Sequence, residues 1–190
     1  MSDLLLTNQA LLQTNVDALK EGVELISVLE PGQYTKGFKP AFQSTIGAHF
    51  RHVVEHYRCF FKQMSEGVFC YDERDREQIL ECEADYAIES INKIINQFAD
   101  VSDIAFEQTY TLKDEQSPNP VETNLQRELL FMQSHTIHHY AMIAAMTRSF
   151  GNQPQEDFGV AITTRTHQKC GESTSANTET PALESKRAEA

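Results

Sequence analysis

Six of the chain's seven histidines fall in two short runs, His49, His52 and His56, then His135, His138 and His139. Imidazole binds first-row transition ions as a neutral ligand and exchanges a proton near neutral pH. Such runs therefore point to metal chelation or acid–base chemistry. A helix turns about 100° per residue, so His135 and His139 lie roughly 40° apart on one face, one turn from each other. That spacing lets two imidazoles chelate one ion. His138 points away from the apolar seam and reads as a solvent-facing or packing residue. In the first run all three histidines share one side. His49 and His56 border the apolar stripe and His52 lies further round, so periodicity favours His49 or His56 as a third ligand without settling the choice. Three neutral imidazoles suit Zn, Ni, Fe or Cu rather than Mg or Ca, and three protein ligands leave coordination positions open, as catalytic zinc sites do.

Other residues of chemical interest surround these runs. Glu55, one turn after His52, is a candidate to orient an imidazole or act as a base, against the plainer reading of an exposed helical carboxylate. Arg127 and Glu128, two turns before His135, read as a surface ion pair. Cys59 reads as a small buried residue rather than a thiolate ligand. Tyr57 and Tyr140 sit on core seams, and His167, alone near the C-terminal end, is given no role.

The elements that must position these groups are helical. Leu12, Val16, Leu19, Val23 and Ile26 repeat at four-and-three spacing, as an amphipathic helix requires, and Pro31 and Gly32 end it. A second helix is predicted to start between Pro40 and Ser44, with a seam of Ile46, Phe50, Val53, Tyr57, Phe60 and Met64, stopping at Gly67. The acidic residues Asp72, Glu73 and Asp75 suit the start of a third, continued by Leu80, Ala84, Ala87, Ile91, Ile94 and Phe98. Between Asp100 and Pro120 the helical period is lost, and the alternation of Ile104, Phe106, Tyr110 and Leu112 fits a short strand. Thr123 and Gln126 read as a capping box for a fourth helix, which Gly151 stops. Four amphipathic helices bury their stripes against one another, so the predicted fold is all-α, a four-helix bundle with long inter-helix connections.

The chain has 190 residues and a formal net charge of −12. That length predicts one domain over residues 1–165, and the Thr-, Ser-, Glu- and Ala-rich stretch 166–190 reads as a disordered tail. A surface so acidic disfavours nucleic acid and anionic membranes as partners. No basic flank with a long apolar run opens the sequence, so neither a signal peptide nor a membrane span is predicted. The four cysteines, Cys59, Cys70, Cys82 and Cys170, lack paired spacing and read as reduced thiols of a cytoplasmic protein.

At its histidines the sequence resembles the DinB/YfiT-like superfamily of candidate metalloenzymes, over most of the chain from the first helix to Thr164. The shared pattern is one histidine on the second helix and an HxxxH on the fourth, here His135 to His139. The family's tryptophan opening the second helix is missing, and Ser44 stands at that place. His52 lies eight positions on, and Val53, Val54 and Glu55 follow it as in the family's histidine–aliphatic–acidic run. The resemblance thus implies His52, His135 and His139 as ligands of a divalent transition metal, Zn or Ni foremost, where periodicity pointed to His49 or His56. Pro154 to Ala161 also resembles the family's extended segment after the last helix. The resemblance further implies a metal-activated low-molecular-weight thiol or water attacking a small electrophilic molecule, and it suggests a homodimer; Glu55, one turn after His52, would move the proton. The competing reading is a non-catalytic metal- or ligand-binding module.

Overall fold

The computed structural model describes residues 2–37, 39 and 41–167. The chain divides into two units, 1–159 and 160–190, and the second contains a short helix over 162–167. The rest of the predicted tail lies outside the described residues.

The first unit holds helices α1 (Ser2–Ser27), α2 (Ile46–Met64), α3 (Ile79–Cys82), α4 (Ala84–Gln97), α5 (Asp103–Glu107) and α6 (Leu125–Ser149), with strands β1 (Val68–Phe69), β2 (Thr109–Asp114) and β3 (Ser117–Asn124). α1 packs on α4 and α6, and α2 packs on the same two helices. Their apolar stripes meet in a core of Leu19, Ile46, Phe50, Phe60, Ile91 and Leu129, each fully buried.

The all-α expectation is corrected by the sheet. β1 runs parallel to β2, and β2 runs antiparallel to β3 with Tyr110 opposite Thr123. β3 carries Pro118 and Pro120 and has no apolar alternation, which hides it from a period-based reading. As an edge strand it tolerates prolines that a central strand would reject. The β2–β3 turn is set by Asp114, whose carboxylate accepts the Gln116 amide at 2.7 Å.

Three helix boundaries also differ from expectation. α2 is capped by Thr45, whose hydroxyl accepts the Ala48 amide at 3.0 Å, not by Ser44. The predicted third helix breaks in two at Glu83, whose backbone is extended (φ −116°, ψ 104°). Its acidic start forms a separate 3-10 turn over Tyr71–Glu73. α6 is capped by Asn124, which accepts from the Arg127 amide at 2.9 Å. Thr123 turns inward instead and donates to Glu128 at 2.6 Å.

One buried polar network sets α2 against α6. Tyr57 on α2 donates to Asn15 on α1 at 2.8 Å, and the Asn15 amide donates across to the Leu129 carbonyl of α6 at 3.3 Å. The Thr136 hydroxyl of α6 donates to the Met132 carbonyl at 2.7 Å and lies 3.3 Å from the Tyr57 oxygen. Tyr57 and Thr136 directly follow His56 and His135, so this clamp fixes how the two histidine runs face each other.

Candidate metal centre

Helical spacing puts His135 and His139 on the same side of α6, with ring centroids 4.6 Å apart. His52 enters from α2, its ring 4.9 Å from His135 and 4.6 Å from His139. Nε2 of His135 lies 3.2 Å from Nε2 of His52 and 3.0 Å from Nε2 of His139. Among the described residues these three histidines form the group that could hold a metal ion, their ligand atoms all within 4.8 Å of one another.

The donor set fits a transition ion. Tetrahedral nitrogen ligands about 2.05 Å from zinc stand roughly 3.3 Å apart, close to the two spacings seen here. Nε2 of His135 takes part in both close contacts, yet it offers one proton or one lone pair. Two ordinary hydrogen bonds cannot satisfy both contacts, whereas one cation shared by three lone pairs would. The ligands are also kept neutral. Burial foremost, then the neighbouring imidazoles, lowers His52 to about 2 and His139 to about 3. Burial and His56 bring His135 to about 4. Three neutral half-buried imidazoles suit zinc or nickel and not the hard cations that require oxygen ligands.

Two more histidines complete the cluster. His56 donates its Nδ1 proton to the His52 carbonyl at 2.7 Å, which leaves the lone pair on Nε2. Its ring sits 4.2 Å from His52 and 4.3 Å from His135, and burial lowers its pKa to about 4. His49 places Nδ1 2.9 Å from Nδ1 of His139. His138 is exposed, as its place on the helix predicts.

Aromatic residues wall the cluster on one side. Phe131 stacks on His135 with centroids 5.4 Å apart, and Tyr71 stacks on His56 at 5.7 Å. The Tyr71 hydroxyl donates to Glu128 at 2.8 Å. Glu128 pairs with Arg127 at 2.8 Å, but it is fully buried, so this is not the solvated pair its helical position suggested. Arg127 and Thr123 lie close to it in sequence, whereas Tyr71 comes from the distant 3-10 turn.

Glu55 is not among the three converging ligands. Its buried carboxylate accepts the Glu77 amide at 2.7 Å and lies 3.9 Å from the Arg51 Nε. It lines a cavity of about 240 Å³ with Arg58, Cys59, Lys62, Gln63 and Arg74. Burial raises its pKa, against the opposing pull of the Glu77 amide and nearby arginines. Cys59 is buried, and Tyr57 and Tyr140 are core residues. Cys59, Cys70 and Cys82 are free thiols. His167 lies in the 162–167 helix of the second unit.

The model of the DinB family matches residues 1–169. The chain belongs to the DinB family. The fold of this DinB protein is also similar to the crystal structure of a DinB-like protein from Bacillus subtilis, with a TM-score of 0.54 and 14% identity over 76% of this chain and 93% of that one. No curated protein matches it. No helix among the described residues is long and apolar enough to cross a membrane.

Proposed function

We propose that this DinB protein is a metal-dependent enzyme that holds one divalent transition ion, zinc or nickel, on His52, His135 and His139. In this reading it transfers a low-molecular-weight thiol to a small electrophilic molecule, or hydrolyses such a molecule. The observation that carries the reading is the convergence of three Nε2 atoms from two helices. Three protein ligands are the number that catalytic zinc sites use, since they keep a position for water or substrate. A cation held by neutral imidazoles supplies the lowered pKa that makes a thiol or water nucleophilic at neutral pH.

The chain's own residues do the rest. Phe131 and Tyr71 exclude water from one side of the cluster, which strengthens the electrostatics within it. Two residues are candidates to take the proton. Glu55 would first have to release the Glu77 amide, whereas His56 already presents an unprotonated Nε2 beside His52 and His135. His56 is the better placed, and Glu55 then braces α2 against the segment carrying Arg74 and Glu77. The ring of contacts among α1, α4, α2 and α6 supports a four-helix bundle as the scaffold. Three free thiols support a reducing, cytoplasmic location.

Elemental analysis of the untagged protein tests the metal. About one zinc or nickel per chain is expected, lost in His135→Ala and His139→Ala. Thiol-transfer and hydrolysis assays with and without that ion then test catalysis. An absence of metal even after reconstitution would overturn the reading, and bound metal without turnover would leave a binding protein.

A further inference from the structure

One contact in the cluster involves a nitrogen that faces away from the three converging Nε2 atoms. Nδ1 of His139 lies 2.9 Å from Nδ1 of His49, with ring centroids 5.2 Å apart and planes tilted by 49°. Two imidazole nitrogens at that distance need one proton between them, so one donates and the other accepts. His139 can offer a lone pair at Nε2 only if its proton sits on Nδ1. His49 must then be the acceptor, with its own proton on Nε2.

We propose that His49 is a positioning residue for the metal centre, accepting the Nδ1 proton of His139 and so fixing that ligand's tautomer and ring orientation. This rests on the reading of His52, His135 and His139 as the ion's ligands. Ligand histidines generally donate their outer N–H to a carboxylate, carbonyl or water, which raises their basicity and holds the ring. Here an imidazole on the facing helix takes that place. His49 and His52 lie three residues apart on α2, so one helical face supplies a ligand directly and also aims a ligand carried by α6. A shift of α2 along α6 would disturb both at once, which couples the centre to the packing of these two helices.

Position 49 is half-buried and its side chain is no part of the apolar core, so it can be changed without opening a cavity. The experiment measures zinc affinity by chelator competition for the wild type, His49→Leu, His49→Ala and His49→Asn. The thermal midpoint of each metal-free protein is followed alongside. Leucine and alanine remove the acceptor, whereas the asparagine side-chain oxygen stands near the place of Nδ1. The expected result is affinity about 10–100-fold weaker in the leucine and alanine variants. His49→Asn should restore most of the loss, with midpoints alike in all four proteins. Wild-type affinity in His49→Leu and His49→Ala, or an asparagine variant as weak as they are, would overturn the role of His49 while leaving the metal centre standing. A wild-type protein that binds no zinc would overturn both.

Discussion

The hydroxyl of Tyr57 on α2 donates to the side-chain oxygen of Asn15 on α1 at 2.8 Å, inside a core where both residues are completely buried. Asn15 in turn reaches the Leu129 carbonyl of α6, so one amide ties together three helices. Tyr57→Phe keeps the ring and strands the Asn15 oxygen. A buried acceptor left without its partner costs about 1–3 kcal/mol. Urea denaturation of the metal-free variant should show that loss with an unchanged m-value, and wild-type stability would refute the clamp.

A close approach of α1 to α6 makes a second prediction. A Cβ at Gly22 would stand 2.1 Å from the Tyr140 hydroxyl oxygen and 2.9 Å from the ring carbon bearing it. Alanine in a helix interior gains up to about 1 kcal/mol over glycine, but overpacking a rigid aromatic costs about 1–3 kcal/mol. Gly22→Ala should therefore lower the thermal midpoint. The Tyr140 hydroxyl is buried with no hydrogen-bond partner among the described residues, so Tyr140→Phe should cost little alone. Combined with Gly22→Ala it should recover part of the lost stability, because the 2.1 Å clash goes while the ring carbon at 2.9 Å stays.

Acid should weaken the metal-free fold in a defined window. His135 and His56 titrate near 4 in the folded chain, and His139 and His52 lower still, all below the usual 6.5. Between those values the unfolded chain binds more protons than the folded one, so stability falls as pH falls. The contribution is fully present above about pH 6.5 and is lost progressively down to about pH 4 and below. Urea midpoints at pH 7.5, 6, 5 and 4.5 should decline steadily. Replacing His52 by Leu should flatten the decline, and a pH-independent midpoint in the wild type would contradict it.

Glu128 accepts hydrogen bonds from Tyr71 and Thr123 while fully buried. Glu128→Leu strands both hydroxyls, at about 1–3 kcal/mol each. Removal of the Arg127 partner adds little, because that arginine side chain is half exposed. A loss of roughly 2–6 kcal/mol in denaturant titrations is expected on those terms. A neutral substitution would show that Glu128 acts as an ordinary helix-surface carboxylate.

Much of the helical framework was legible because a helix advertises its buried face every three or four residues. The seams of α1 and α2 fall at the spacings their sequences show. What escaped were features made by contacts distant in sequence. β3 has no apolar alternation, because an edge strand buries little and takes its hydrogen bonds from β2. Thr123 has the spacing of a cap, yet the buried Glu128 carboxylate claims its hydroxyl and Asn124 caps α6 instead. The third helix is continuous by period but breaks at Glu83, so that α3 can pack on α2. There Gly47 leaves no room for a side chain, since a Cβ would meet the Glu81 carbonyl at 2.1 Å.

The same division holds at the centre. Residue types and spacing alone determined that His135 and His139 share a helical face, because that depends only on local backbone geometry. The motif pattern also carried membership of the DinB family. Which member of His49, His52 and His56 joins them was decided by the rotation and offset of α2 against α6. The family resemblance already pointed to His52, but periodicity did not, because a helix presents all three on one broad side and packing selects the ring that meets its partners. Tertiary structure brought His52 to the convergence point, turned His49 to the outer nitrogen of His139, tied His56 to a backbone carbonyl, and committed Glu55 to the Glu77 amide.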